Sequence, residues 1–251
     1  MAESLSAIVT TLDNAQTLDK CLSSLKFCDE IILVDSGSRD ETLSIARAYD
    51  CHILHKDFAG YGPQKAWAAA QARNRYVLLM DADEWLPAEC QLEIQRLMDN
   101  NPTLAGYSLP RRERVFWRYQ HAGTRLNRYL RLFDRTRFRM SDSSIHAAPE
   151  VDGKIGAISA AFCHDGEPDI HTKVAKINAY STGLVADKLA RKTGFVRSRM
   201  LLYPPFFFLR LYFGKRHCLN GWAGFISSVS GAFYVFLKYA KVYEAQRRPP
   251  H

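Results

Sequence analysis

The first half of the chain alternates short apolar runs with stretches whose apolar side chains recur at helical spacing. Runs of strand length lie at residues 5–10, 31–34, 52–54 and 76–80. Helical spacing, or an alanine-rich helical composition, marks residues 18–25, 40–46, 64–72 and 88–99. Strands joined by helices pair in parallel through right-handed crossovers. The alternation therefore predicts an α/β fold built on a parallel sheet.

Two of the predicted strands end in aspartate. Asp35 follows the second run, and Asp81-Ala82-Asp83 follows the run at 76–80. Parallel α/β sheets bind ligands beyond the carboxyl ends of their strands, so these are candidate binding residues. Two carboxylates at a strand end can hold a hard divalent cation, which can in turn hold a diphosphate. The alternatives are that Asp35 serves the turn at 36–38, that Asp81 caps the next helix and that Asp83 is a solvated turn residue.

The pattern changes at Gly106, where shorter, mixed strands carry many arginines. A helix is predicted over residues 172–192. An apolar, aromatic run then occupies residues 201–209 between basic side chains, and no formally charged residue lies between Arg216 and Lys238. We therefore divide the chain into an α/β catalytic domain, residues 1–194, and an aromatic and basic tail, residues 195–251.

The tail is predicted to associate with a membrane. A spanning helix needs about 20 predominantly apolar residues, and Asn220 and several serines interrupt the uncharged stretch. An interfacial segment flanked by Arg and Lys is therefore the preferred interpretation. A spanning segment and a buried helix that closes the catalytic domain are the alternatives.

Net charge and cysteine content restrict the class of protein. A net charge of +8 indicates an anionic partner, such as nucleic acid, a phosphorylated substrate or acidic lipid. A nucleic-acid partner is not expected, because the chain has no Lys/Arg run and no recognition module. The six cysteines are scattered without a CxxC pair, as is typical of reduced thiols in a cytosolic protein. The N-terminus has no basic region of the signal-peptide type.

Five stretches of the chain resemble family 2 glycosyltransferases, and within them the bacterial lipopolysaccharide inner-core glucosyltransferases. The stretch at residues 30–42 and the Asp-Ala-Asp run are specific to the superfamily. The stretches at 58–65 and 233–241 narrow the resemblance to the inner-core group. The stretches are residues 6–14 (SAIVTTLDN), 30–42 (EIILVDSGSRDET), 58–65 (FAGYGPQK), 79–85 (LMDADEW) and 233–241 (FYVFLKYAK).

This resemblance implies a GT-A fold, with a Rossmann-like mononucleotide-binding sheet, and assigns roles by position. Thr11 would contact the nucleoside through its backbone, and Asp35 would bind the base. Lys65 would lie near the diphosphate, Asp81 near the ribose or the metal, and Asp83 on the metal. The cofactor would be Mg²⁺ or Mn²⁺.

Two later residues are further candidates. Arg131 lies in a Leu-Arg-Leu-Phe run that the family shares, and a guanidinium matches phosphate oxygens with paired donors. His164 follows the apolar run 158–162, and GT-A enzymes often recruit a late histidine as a further metal ligand. The alternative for His164 is a hydrogen-bonded structural histidine. His146 is a weaker candidate for the same role.

The catalytic base is the point at which the sequence departs from the family. An inverting transferase needs a carboxylate to take the proton of the acceptor hydroxyl. The family pattern has a His-Glu pair here, but this chain has Ala147 after His146. Either Glu150 or Asp142 takes the role, with Glu150 slightly preferred, or the base lies elsewhere.

These features predict a metal-dependent inverting glycosyltransferase. The resemblance implies transfer from a UDP-sugar, with glucose the expected sugar, to an inner-core heptose of lipopolysaccharide. The acceptor would be a lipid-linked oligosaccharide, so we expect a cytoplasmic protein peripheral to the inner membrane. The alternative, raised by Ala147, is a non-catalytic nucleotide-sugar-binding or scaffold protein at the membrane.

Overall fold

A computed structural model describes residues 2–141, 148–191 and 194–247. Its strands are β1 (Leu5–Thr11), β2 (Glu30–Asp35), β3 (His52–His55), β4 (Tyr76–Asp81), β5 (Glu84–Trp85), β6 (Gly106–Val115), β7 (Arg118–Tyr119), β8 (Asn127–Asp134), β9 (Phe138–Met140), β10 (Pro149–Val151), β11 (Ile155–Ala157) and β12 (Phe162–His164). Its α-helices are α1 (Leu18–Ser23), α2 (Thr42–Arg47), α3 (Tyr61–Gln71), α4 (Ala88–Asp99), α5 (Ile170–Gly183), α6 (Val185–Ala190), α7 (Val196–Leu209) and α8 (Gly221–Ala245).

The predicted parallel sheet is present. Strands β3, β2, β1 and β4 lie side by side in that order and pair in parallel. Strands β8 and β6 extend the sheet with antiparallel pairing, and β12 and β5 follow them. Strands β9 and β10 form a separate antiparallel pair. The fold is thus α/β with a mixed sheet, whose parallel part is formed by the first four strands of the chain.

Helices cover both faces of this sheet, so successive residues of β1 are buried on opposite sides. Ala7 and Val9 pack in one core cluster with Leu22 of α1. Ile8 packs in a second cluster with Ala68 of α3. Continuous burial of this kind is typical of parallel strands, which lie between two layers of helices.

The register of β1 brings the predicted binding residues to one edge of the sheet. Thr11 lies opposite Asp35 of β2, and Thr10 lies opposite Asp81 of β4. Both aspartates stand at the last position of their strands. Both aspartates thus lie at the carboxyl edge of the parallel strands, at the strand ends predicted from the sequence.

Two differences between the predicted and observed helices have a local cause in the sequence. Helix α3 begins at Tyr61, because Pro63 is tolerated in a first turn, where its missing N–H would have no intrahelical partner. The single helix predicted over 172–192 is two helices, α5 and α6, and residue 192 lies outside the described residues. Asp169 begins α5 by accepting a hydrogen bond from Thr172 N at 2.7 Å. Gly183, a poor helix former, ends it.

The chain divides into two compact units. Residues 1–112 and 127–165 form the first, and residues 113–126 and 166–251 form the second. Helices α5 and α6 belong to the second unit together with the C-terminal helices. The predicted domain boundary at residue 194 stays a prediction. The assignment of residues 195–251 as a membrane-associating tail stays a prediction.

The second unit is built around α7 and α8. Val196 of α7 shares a buried cluster with Val235 and Val242 of α8. Pro204 and Pro205 lie inside α7. Gly224 of α8 is required by a close approach, because a Cβ there would lie 1.9 Å from the carbonyl oxygen of His217. Across the part of the chain that the structure describes, no helix has both the length and the apolar content needed to cross a bilayer.

Lys241 joins α8 to the C-terminal end of α5. Its Nζ donates to the carbonyl and side-chain oxygens of Asn178 at 2.8 and 2.7 Å, and to the hydroxyls of Ser181 and Thr182 at 2.8 and 2.7 Å. A cation at this place also complements the partial negative charge of a helix C-terminus. One side chain thus satisfies acceptors over the last turns of α5.

We expect Lys241→Met to destabilise the protein by about 1.5–3 kcal/mol, the usual range for hydrogen bonds to a charged group. Urea denaturation followed by circular dichroism measures the loss. The exposed Arg191→Met removes the same charge from the same unit and serves as the control. Equal midpoints for the two variants would show that the Lys241 contacts contribute no net stability.

Candidate functional site

The Asp81-Ala82-Asp83 segment is held in place by the pairing of the strand that follows it in the chain. Strand β5 begins at the next residue, and its Glu84 pairs with His164 of β12. The backbone N–H of Asp165 donates to the carbonyl of Asp83 at 2.8 Å. These contacts fix the turn that follows β4, so the Asp-x-Asp carboxylates are displayed from a rigid support rather than a free loop.

Asp83 and His164, two predicted metal ligands, lie together. The Nε2 atom of His164 is 3.2 Å from Oδ2 of Asp83, and both side chains are partly exposed. The β5–β12 pairing explains the contact, because it places His164 beside the residue that follows Asp83. The structure therefore brings a carboxylate and an imidazole to one point at the sheet edge.

Asp81 contacts two cations. Its Oδ1 lies 2.5 Å from Lys65 Nζ, and its Oδ2 lies 3.3 Å from Arg131 Nη2. The Thr10 hydroxyl also donates to Oδ1 at 3.2 Å. Burial alone would raise the pKa of Asp81, but Lys65 and Arg131 outweigh it and hold that pKa well below its usual range. Asp81 is therefore an anion that holds Lys65 and Arg131 at the site.

The helix-cap alternative for Asp81 is wrong. Helix α4 begins at Ala88, and Pro87 occupies its N-cap position. Asp81 lies at the end of β4, too far upstream in the chain to cap that helix.

Glu84 is the residue that sequence reasoning missed. Its side chain has 0% exposure. One oxygen accepts from the backbone N–H of Asp81 at 3.0 Å, and the other accepts from Arg131 Nη2 and lies 3.6 Å from Arg111 Nη1. Burial raises the pKa of Glu84, and the Arg131 guanidinium opposes that rise. Glu84 thus connects the Asp-x-Asp backbone to Arg131, the same residue that contacts the Asp81 side chain.

Asp35 is buried and organises the turn that follows β2. Its carboxylate accepts from Gly37 N at 2.9 Å, from Ser38 N at 3.1 Å and from the Ser38 hydroxyl at 2.5 Å. The carbonyl of Thr11 accepts from Ser36 N at 3.1 Å. These are the bonds of the turn-partner alternative. The predicted contacts of Thr11 and Asp35 with a nucleoside stay predictions.

The start of α3 is tied to the same edge. Gln64 Nε2 donates to the Ser36 hydroxyl at 3.0 Å and to the carbonyl of Lys56 at 3.2 Å. The next residue, Lys65, is largely buried where it contacts Asp81. The stretch at 58–65 therefore places the lysine by docking the first turn of α3 on the ends of β2 and β3.

The candidate bases are placed only in part. Asp142, His146 and Ala147 lie outside the described residues. Glu150 lies in β10, where its carboxylate accepts from Arg139 Nε at 2.9 Å. Its side chain is 45% exposed. Glu150 is thus an accessible carboxylate with an arginine partner on the neighbouring strand.

Comparison with known proteins identifies the family of this chain. Residues 6–151 match the family described as glycosyl transferase family 2, which is more than half of the chain. The chain belongs to this family. The lipopolysaccharide core biosynthesis glycosyltransferase LpsC of Rhizobium meliloti is 32% identical over 96% of this chain and 92% of its own length. The resemblance to family 2 enzymes of lipopolysaccharide core synthesis is therefore confirmed.

Two solved structures share the fold. The mannosyltransferase PcManGT from Pyrobaculum calidifontis, in complex with GDP-Man and Mn²⁺, has a TM-score of 0.54 at 14% identity, covering 98% of this chain and 89% of its own. TarS residues 1–349 from S. aureus, in complex with UDP-GlcNAc, have a TM-score of 0.50 at 16% identity, covering 97% and 91%. This family 2 glycosyltransferase thus has a GT-A-like fold.

The donors present suit a hard divalent ion that arrives with a phosphate ligand. In the described parts of the chain, no group of three or more His, Cys, Asp or Glu side chains is placed to hold a metal. Asp83 and His164 provide two donors of suitable chemistry. Mg²⁺ is usually bound through one or two protein carboxylates, with substrate phosphates and water completing its shell. Asp83 and His164 thus fit their predicted role as metal ligands. Both carboxylate oxygens of Asp81 instead contact cationic side chains, those of Lys65 and Arg131.

We expect Glu84→Gln to destabilise the glycosyltransferase by about 3 kcal/mol, since it removes the nearer partner of the buried Arg131 guanidinium and leaves only the more distant Asp81. Urea denaturation measures the loss. The control is Glu89→Gln, which replaces the exposed carboxylate of a glutamate on α4 and should leave the urea midpoint unchanged. An unchanged midpoint for Glu84→Gln would mean that Glu84 is already uncharged in the folded protein.

Proposed function

We propose that this glycosyltransferase transfers a sugar, expected to be glucose, from a UDP-sugar to an inner-core heptose of lipopolysaccharide. The observation that carries the proposal is the juxtaposition of Lys65 and Arg131 on Asp81 with the Asp83–His164 pair beside them. A diphosphate needs cationic donors, and its metal needs a carboxylate. Support for the donor comes from TarS with UDP-GlcNAc, and support for the acceptor comes from LpsC.

The proposed reaction is a single displacement. The acceptor hydroxyl oxygen bonds to the anomeric carbon as the bond from that carbon to the diphosphate oxygen breaks, and UDP leaves with the electron pair. Lys65 and Arg131 stabilise the negative charge that grows on the diphosphate. Asp83 and His164 would hold Mg²⁺ or Mn²⁺, which supplies Lewis-acid stabilisation of the same charge.

Donor recognition is assigned to the turns at the edge of the parallel strands. We infer that Thr11 and Asp35 border the nucleoside. The bonds of Asp35 to the turn at 36–38 use most of the acceptor positions of a carboxylate. Its contribution to base binding is therefore to hold the turn as well as to contact the uracil.

The proton of the acceptor hydroxyl must pass to a base. Glu150 and Asp142 are the proposed candidates, with Glu150 preferred. The hydrogen bond from Arg139 holds the Glu150 carboxylate in place on β10, and the side chain is exposed enough for an acceptor to reach it.

The lipid-linked nature of a lipopolysaccharide acceptor sets the proposed location. The protein would act on the cytoplasmic side of the inner membrane as a peripheral protein. No nucleic-acid partner is proposed.

Asp83→Ala should lower the transfer rate by at least about 100-fold, the scale for losing one stabilising group of a transition state. The matched control is Asp50→Ala, which removes an exposed carboxylate. Transfer from UDP-glucose to purified core acceptor measures the rate, and calorimetry measures Mn²⁺ binding in the presence of UDP. Undiminished wild-type transfer in EDTA, or normal Mn²⁺ binding by Asp83→Ala, would contradict the metal assignment.

Glu150→Gln should lower the transfer rate by at least about 100-fold while UDP affinity is retained, because general base catalysis contributes at least that factor. Asp142→Asn is measured beside it.

The outcomes separate the candidates. If only Asp142→Asn is inactive, the base is Asp142. Full activity in both variants would exclude both residues. A wild-type protein that binds UDP-sugar but transfers to no core acceptor would favour the scaffold interpretation.

A further inference from the structure

Helix α7 carries an exposed apolar stripe. Leu202, Phe206 and Leu209 recur four and three positions apart, and Phe213 follows four positions later in the π-helical turn Arg210–Gly214. The exposed fractions are 67% for Leu202, 66% for Phe206 and 61% for Phe213. Residues at this spacing share one side of a helix, and here that side faces outward from the unit's own buried cluster.

Aromatic contacts extend the stripe to the start of α8. Ring centroids are 5.0 Å apart for Phe213 and Tyr212, 5.9 Å for Tyr212 and Phe225, and 5.7 Å for Phe225 and Trp222. Trp222 is 75% exposed. We call the exposed members of this continuous surface the aromatic face: Leu202, Phe206, Leu209, Phe213, Trp222 and Phe225. Contiguous exposed apolar surface of this kind marks a contact with a partner or a membrane.

The segment that carries the aromatic face has charges of one sign. Residues 188–243 hold ten of the 34 Lys and Arg residues of the chain and none of its 26 Asp and Glu residues. The net charge of +8 therefore resides wholly in this stretch. Arg210 and Arg216 are exposed next to Leu209 and near Phe213. Long basic side chains beside an apolar surface can reach the headgroup layer while their stems pack on apolar neighbours.

We propose that the aromatic face docks on a bilayer containing anionic phospholipid, with its apolar side chains in the interface and its arginines on the headgroups. A cationic surface with Trp, Phe and Leu is the composition of an interfacial helix, and anionic lipid supplies the complementary charge. A second copy of the chain is a poor occupant, because a symmetric contact would bring two acid-free, basic segments together. The inference deepens the proposed function, since a lipid-linked acceptor is presented at such a surface.

The test is co-sedimentation of the full-length protein with vesicles of phosphatidylcholine alone or mixed with phosphatidylglycerol. The protein should bind the mixed vesicles, more weakly as salt is raised because exposed charges are screened. The pair Phe213→Ser and Trp222→Ser should lower binding by at least about tenfold, since two exposed aromatic side chains lose their apolar burial. The pair Arg210→Gln and Arg216→Gln should reduce the preference for phosphatidylglycerol.

Leu92→Ser removes an apolar residue of α4 that is 52% exposed, and this variant should bind as the wild type does. Because all the replaced residues are exposed, circular dichroism should show a wild-type fold for every variant. The proposal would be overturned if vesicle binding were the same with and without phosphatidylglycerol and the same for the wild type and the face variants. A concentration-dependent dimer that Trp222→Ser abolishes, in the absence of vesicle binding, would also overturn it.

Transfer to a delipidated core oligosaccharide separates this inference from the proposed function. The face variants should retain that activity and lose transfer to acceptor embedded in mixed vesicles. Wild-type transfer to embedded acceptor by the face variants would overturn the docking proposal and leave the glycosyltransferase function standing. Vesicle binding by a protein that transfers to neither acceptor would support docking and contradict the function.

Discussion

The central position of β1 governs the geometry of the candidate site. It pairs in parallel with β2 on one side and with β4 on the other, so two aspartates finish their strands at one edge. Their registers differ by one residue along β1, and successive side chains leave a strand on opposite faces. Asp35 therefore serves the turn at 36–38, whereas Asp81 meets Lys65 from α3. Two similar residues at similar strand ends acquire different neighbours from this alternation alone.

The charges beyond β4 depend on one another. Glu84 is fully buried and is balanced by Arg131, while Asp81 is balanced by both Arg131 and Lys65. Burying any one of these charges alone would be costly, whereas a connected set with mutual hydrogen bonds is tolerated. With Arg111 included, cations outnumber carboxylates in this set. The sheet edge is therefore suited to accept an anion such as a diphosphate.

Much of the first unit could be predicted, because burial between two helical layers leaves a clear pattern. The strands β1, β2 and β4 read as apolar runs, and their terminal aspartates could be placed at one edge by topology. Glu84 could not be recognised, because a glutamate in a turn-like segment looks solvated until the β5–β12 pairing buries it. His164 was a candidate only through the family resemblance, and the same pairing explains why it meets Asp83.

The organisation of the C-terminal half was harder to predict, since it depends on contacts distant in sequence. The break between α5 and α6 leaves only a glycine as its local signal. Helix α5 is joined to α8 by Lys241, which reaches acceptors about sixty residues away in the chain. Composition alone marks the point where the aromatic content rises, and it carries no signal for such distant contacts.

The two prolines inside α7 limit how far that helix can leave water. Proline has no backbone N–H, so the carbonyls of Met200 and Leu201 cannot accept their usual intrahelical bonds from Pro204 and Pro205. Hydrocarbon offers no substitute donor, whereas the hydrated headgroup layer does. The same helix that displays Leu202 and Phe206 thus carries a backbone that requires hydration, and its depth in any lipid phase is restricted by covalent structure.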